Sequence, residues 1–310
     1  MHPAKSVIAF TTSSGAGYGL LVWLALAASQ YGLQAEMLFG LVSFAIGFGL
    51  IIFGLLASTF HLGHPERAWR AFSQWRSSWL SREGVMAVFT FLPAGAFAIY
   101  WIFMGENTGF AGQIGLVAAV ASLLTVYCTA MIYASLKAIP AWHMNLTPIT
   151  YLVFSLATGG MLFVLLARVW GYDVADEVAE QTRVLFGLAI ILKVAHWGIM
   201  KTKQPVSTAE TATGLGATGK VSLLESPHSS DNYLLKEMGF KIARKHADKL
   251  RFISNISLLL TALLLTFGAT SITAAITATA TMFVGVVSER WLFFAEAKHT
   301  VTLYYGESQV

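Results

Sequence analysis

Between His61 and Gly84 the chain reads HLGHPERAWRAFSQWRSSWLSREG, which gathers two histidines, four arginines, two glutamates and three tryptophans directly behind an uncharged apolar run. Histidine is the side chain whose ordinary titration lies nearest neutral pH, so His61 and His64 can give or take a proton there. Glu66 and Glu83 can relay protons, while Arg67 and Arg82 can stabilise developing negative charge. The same residues can equally form surface ion pairs, and spacing alone does not separate the two readings. His61 stands where the apolar run ends, and Gly63 and Pro65 turn the chain just beyond it. A ring there meets both lipid and water. That suits a proton donor to the head group of a quinone whose isoprenoid tail stays in lipid; the plainer alternative is a histidine that snorkels or caps the helix end.

The elements that must position these residues are membrane spans. The chain has 310 residues, of which 56% are hydrophobic and only 12% charged, and its mean hydropathy is +0.64. This identifies an integral membrane protein. Windows long enough for an α-helix to cross about 30 Å of hydrocarbon fall near 7–29, 38–60, 85–104, 113–136, 149–170, 182–200, 252–270 and 272–294. The expected fold is therefore all-α and polytopic, with eight transmembrane helices in one membrane-anchor domain spanning residues 1–310. The apolar runs recur to the C-terminal end, so a removable signal does not explain them. A single cysteine, Cys128, excludes an internal disulfide and an iron–sulfur cluster held by this chain alone.

Lys and Arg are retained on the cytoplasmic side of short loops, and seventeen of the twenty lie on one side of the proposed spans. That side carries Lys5, the 61–84 connection, Lys137, the segment 201–251 and Lys298, so both termini are expected in the cytoplasm. Basic residues spread over membrane-flanking loops give no reason to expect nucleic-acid binding. The segment 201–251 reads as a flexible cytoplasmic docking loop that ends in a basic helix. Within it GLGATGKV nearly matches a phosphate-binding loop, but Val221 replaces the hydroxyl that would ligate magnesium, and no strand precedes it.

At 100° per residue Trp69, Phe72, Trp75 and Trp79 share one face, opposite Arg67, Arg70, Gln74 and Ser77, which predicts an interfacial helix. Charges inside spans are expensive to insert, so Lys193, His196, Glu289 and Arg290 form either a functional site or an ion-pair network that holds the bundle. Tyr127 and Tyr133 fall at the same depth. Two other classes compete with a quinone-reactive anchor. A dihaem anchor needs four paired imidazoles within helices, yet of eight histidines only His196 is well inside a span. A transporter would more often show repeated halves with broken helices, and no such repeat is visible.

The run FHLGHPERAWRAFSQWRSSWLSRE resembles the signature of the dimethyl sulfoxide reductase anchor-subunit family (DmsC type), in which an H-L-G-x-P motif ends the second helix. YASLKAIPAWHMNLTP is similar to that family's second motif, with Tyr133, Ser135, Pro140, Trp142, Thr147 and Pro148 at the matching positions. The resemblance implies eight helices without haem or an iron–sulfur cluster, and a membrane quinone (ubiquinone or menaquinone) as the redox cofactor. It implies as partners an iron–sulfur electron-transfer subunit and a molybdopterin catalytic subunit. It makes His61 the quinone-site histidine and Glu83, in the LSRE turn, the nearby acid. The basic 201–251 segment looks closer to the anchors of membrane-bound sulfite dehydrogenases (SoeC type), which would send electrons into the quinone pool rather than out of it.

Overall fold

A computed structural model describes residues 5–59, 64–202, 207–225, 246–267 and 271–309. Among the described residues eight helices are long and apolar enough to cross a membrane, and the protein is an all-α, multi-pass membrane protein. We label them α1 (Lys5–Gln30), α2 (Met37–Thr59), α3 (Trp79–Ile99), α4 (Gly109–Ala134), α5 (Leu146–Trp170), α6 (Val174–Thr202), α7 (Ala247–Phe267) and α8 (Ile272–Ala295). α3 carries Pro93 and ends in a π-helical turn, Tyr100–Met104, closed by Gly105 in the left-handed region at φ +66°.

Two boundaries differ most from the sequence reading. α6 begins at Val174 rather than near 182, because the acidic stretch read as a loop supplies Asp176 and Glu177 to its first turn, where carboxylates complement the helix dipole. α3 begins at Trp79 rather than near 85, so Arg82 and Glu83 lie on a helix and not in a turn. A hydropathy window starts only where charge stops, whereas helical hydrogen bonding does not.

The bundle is organised around α1, which packs against α2, α4, α5 and α8. Its closest approaches use small residues: a Cβ on Gly17 would strike the Gly47 carbonyl and Ile51 of α2, and one on Gly19 would strike the backbone of Ser155 and Gly159 in α5. The Ser155 hydroxyl donates to the Gly15 carbonyl at 2.7 Å, and Trp23 Nε1 donates to the Leu156 carbonyl at 2.8 Å. Thr11, Thr12, Ser13 and Ser14 each return their hydroxyl proton to a carbonyl one turn back in α1.

α2 and α3 meet mainly in the half away from their connection, where Phe44 packs on Phe97 and Trp101, and Trp101 fills the space above Gly40. Toward the connection they present apolar side chains outward, among them Leu56, Val85 and Val88. The connection itself is a 3₁₀ helix, Pro65–Gln74, not an α-helix. Its period of three still lines up Trp69, Phe72 and Trp75, all exposed. Trp79 leaves that stripe by entering α3, where it meets Tyr127 edge-on at 5.9 Å.

The segment after α6 is more ordered than a flexible docking loop over its described part. Residues Ala209–Thr213 form a short helix with a Thr208–Thr211 capping box, and Ala209 N–H donates to the Ser308 carbonyl at 3.1 Å, tying it to the C-terminal tail. The Glu210 carboxyl is held below the usual carboxylate range by backbone N–H, then by the Thr208 hydroxyl, then by Val221 N–H. The expected basic helix falls mainly on residues 226–245, outside the described ones.

Candidate functional site

The site is best followed inward from the connection. His64 Nδ1 lies 2.9 Å from Glu66 Oε1 and Arg67 Nε lies 3.8 Å from the same oxygen, with all three side chains more than half exposed. His61 lies outside the described residues. Arg82, expected to stabilise negative charge, is instead engaged with the connection. Its Nε donates to the Trp75 carbonyl at 2.9 Å, its Nη2 donates to the Arg76 carbonyl at 2.7 Å, and its guanidinium covers the Trp79 ring at 4.2 Å. Ser81 adds bonds to Ala71 and Gln74. One helical turn of α3 thus clamps the connection that carries the histidines.

Glu83 is turned the other way. Its side chain is buried, and Thr129 Oγ1 of α4 donates to its Oε1 at 2.5 Å. The same hydroxyl lies 3.1 Å from the Thr125 carbonyl. A hydroxyl has one proton and two lone pairs, so this arrangement serves both states of the acid. Thr129 donates to the carboxylate when Glu83 is ionised; when Glu83 carries the proton, it donates to Thr129, which turns to Thr125. This corrects the expectation of an acid in a turn: Glu83 lies on a helix with its carboxyl buried against α4. Tyr18 on α1 is buried, its hydroxyl has no hydrogen-bond partner among the described residues, and Glu83 lies within electrostatic reach of it.

Tyr133 does not face the connection. It sits among Trp142, Tyr151, Phe293 and Phe294, with ring centroids 5.1 to 5.9 Å away. Trp142 Nε1 donates to the Phe293 carbonyl at 2.8 Å, and the Thr147 hydroxyl donates to the Trp142 carbonyl at 2.8 Å. The second motif therefore fastens the α4–α5 connection onto α8.

The intramembrane charges form an ionic cluster. Lys193 Nζ of α6 lies 2.7 Å from Glu289 Oε1 of α8, and Arg290 Nε pairs with Glu289 Oε2; all three side chains are at most 3% exposed. The Arg290 guanidinium lies 4.2 Å over the Tyr151 ring. Of the two sequence readings, the ion-pair network is the one observed. Sequence reasoning missed Tyr18 and Thr129, because an isolated hydroxyl in a span costs little and is common. The only cue for Tyr18 is its setting between Gly17 and Gly19, where a large polar-tipped ring stands among small residues.

Residues 1–306 match the family described as DMSO reductase anchor subunit (DmsC). The chain is also 33% identical to a sulfite dehydrogenase subunit of Allochromatium vinosum over 332 aligned positions, covering 98% of this chain and 99% of that protein. With eight membrane-spanning helices and a family match along nearly all its length, the chain belongs to the DMSO reductase anchor subunit (DmsC) family and is a multi-pass membrane anchor.

Proposed function

We propose that this anchor passes electrons between a partner iron–sulfur subunit and the membrane quinone pool, and that its molybdopterin partner oxidises sulfite. The observation that carries the quinone reading is the buried Glu83, bonded to Thr129 and flanked by the orphaned Tyr18 hydroxyl. The similarity to a sulfite dehydrogenase subunit favours sulfite as the partner's substrate. The family description favours the second reading, the anchor of a quinol-oxidising S- or N-oxide reductase.

A bound quinone, ubiquinone or menaquinone, supplies two-electron, two-proton chemistry. The chain supplies the proton handling and the pocket. Glu83 holds a proton in a water-poor site and Thr129 fixes the carboxyl in either state. The Tyr18 hydroxyl donates to a head-group oxygen, and His61 is assigned the second donor by its place in the sequence. His64, Glu66 and Arg67 take protons from the aqueous edge, and Arg82 holds that edge to α3. The exposed apolar flanks of α2 and α3 next to the connection accept the tail. In this reading the chain lies in a bacterial inner membrane with both termini cytoplasmic, and the segment 201–251 faces the partners.

The test compares two activities of the purified complex. Glu83→Gln and His61→Ala are expected to lower quinone-linked turnover by roughly a hundredfold or more, while turnover with a soluble dye persists. Unchanged quinone-linked turnover in both variants removes the site. Sulfite-dependent quinone reduction supports the sulfite assignment; quinol consumption with an S- or N-oxide and no response to sulfite replaces it with the second reading.

A further inference from the structure

A small cavity lies between α1, α4, α5 and α8. It has a volume of about 20 Å³, and its walls include Thr12, Ser14, Thr129, Tyr151, Thr158 and Arg290. Room for one water takes about 10–15 Å³, together with two to four polar partners. Both conditions are met. Arg290 is 3% exposed and Tyr151 6% exposed. Arg290 and the Tyr151 hydroxyl are within side-chain hydrogen-bonding reach of each other, but neither Arg290 Nη2 nor the Tyr151 hydroxyl has a partner of full hydrogen-bond geometry among the described residues. Two buried donors on one polar cavity are what an internal water satisfies.

The acceptors are present as well. The Ser14 hydroxyl already donates to the Phe10 carbonyl at 2.6 Å and the Thr158 hydroxyl to the Phe154 carbonyl at 2.7 Å, so each keeps lone pairs for an incoming proton. Thr129, on the same wall, is the hydroxyl that holds Glu83.

We propose that this cavity binds one ordered water molecule that links Glu83, through Thr129, to the Arg290–Glu289–Lys193 cluster, so that Arg290 and Tyr151 act as positioning residues for proton exchange at Glu83. The proposal rests on the assignment of Glu83 as the proton-handling acid. The water accepts from Arg290 Nη2 and from the Tyr151 O–H, and it donates toward Thr129 or toward Ser14 and Thr158. When Glu83 is ionised, Thr129 donates to it and in turn accepts from the water. When Glu83 gains a proton, its O–H donates to Thr129, Thr129 turns to the Thr125 carbonyl, and the water turns its proton to Ser14 or Thr158. One proton arrives at or leaves Glu83; every other change is a reorientation, so no heavy-atom bond is made or broken. The cluster holds two cations and one carboxylate, Lys193, Arg290 and Glu289. Its fixed positive excess makes the orientation of the water sensitive to whether Glu83 is charged.

A cryo-electron-microscopy map of the intact complex, at a resolution that shows ordered water, is expected to contain one density peak within hydrogen-bond distance of Tyr151 Oη and Arg290 Nη2. An empty cavity there overturns the proposal. Tyr151→Phe keeps the ring and removes only the hydroxyl. It is expected to shift the infrared carboxyl band that Glu83→Gln abolishes, to lower quinone-linked turnover about tenfold with a larger solvent deuterium isotope effect, and to leave dye-linked turnover unchanged. A Tyr151→Phe complex with the parent band and isotope effect overturns the link, even if Glu83→Gln is inactive. A fully active Glu83→Gln complex overturns the assignment of Glu83 itself, while the density peak is judged independently.

Discussion

Two polar side-chain contacts of nearly equal length occupy opposite environments. His64 and Glu66 approach to 2.9 Å with side chains 66% and 63% exposed, and Lys193 and Glu289 to 2.7 Å with side chains 2% and 0% exposed. Distance alone would rank them together. At the connection, water screens the charges and solvates either partner if the other leaves, so little is gained by the contact. Inside the bundle neither charge has water to fall back on, and each is tolerable only because the other is there. The exposed pair can change partners and take up protons; the buried cluster has one arrangement and fixes where α6 and α8 meet.

The comparison breaks most sharply at α8. Glu289→Ala leaves Lys193 and Arg290 buried without their carboxylate and is expected to destabilise the protein by about 3–5 kcal/mol, read as a lower thermal midpoint of the purified complex and less anchor in membranes. Adding Lys193→Met should recover part of that loss, and no loss in the single variant would mean the buried pair is solvated after all. His64→Ala is expected to change stability by less than about 1 kcal/mol, within the scatter of the same melting experiment. The smallest effect concerns Glu210, an exposed carboxylate held below its usual range by hydrogen bonds. Its contribution to the order of residues 207–225 is present above the ordinary carboxylate range and disappears as pH falls through the lowered one. The Val221 amide, which donates to Glu210 at 3.3 Å, should therefore lose protection in exchange measurements after correction for intrinsic rates, whereas the amides of α8 around Glu289 should keep theirs.

What could be read from the sequence follows the same division. The spans were legible because burial in lipid imposes a length and a composition on every one of them. The intramembrane charges were legible as exceptions, and their shared depth pointed to one cluster, although nothing in the sequence pairs Lys193 with a residue almost a hundred positions later. Glu83 was legible as an acid of interest but was misplaced, because its neighbours Ser81 and Arg82 look like a polar turn. They are in fact the outer face of a helix, with Ser81 and Arg82 holding the connection while Glu83 points at α4. Thr129 and Tyr18 were not legible. A lone hydroxyl on a span satisfies itself on its own helix as often as it serves a neighbour, and only the packing of α1, α3 and α4 separates those uses. Tyr133 was legible by its depth and its motif, but the aromatic cluster around it, drawn from α5, α8 and the α4–α5 connection, was not.

The position of α1 sets an order of events for building the protein. The chain is made from the N-terminal end, so the helix that becomes the axis of the bundle is completed before α4, α5 and α8, the spans that later enclose it. For that interval it stands in lipid with a run of four hydroxyl residues, Thr11 to Ser14, and nothing beside it to bond them. Because each hydroxyl returns to a carbonyl of its own helix, α1 needs no partner to leave the translocation machinery. Its glycine-lined flanks then wait as the template on which the later spans assemble.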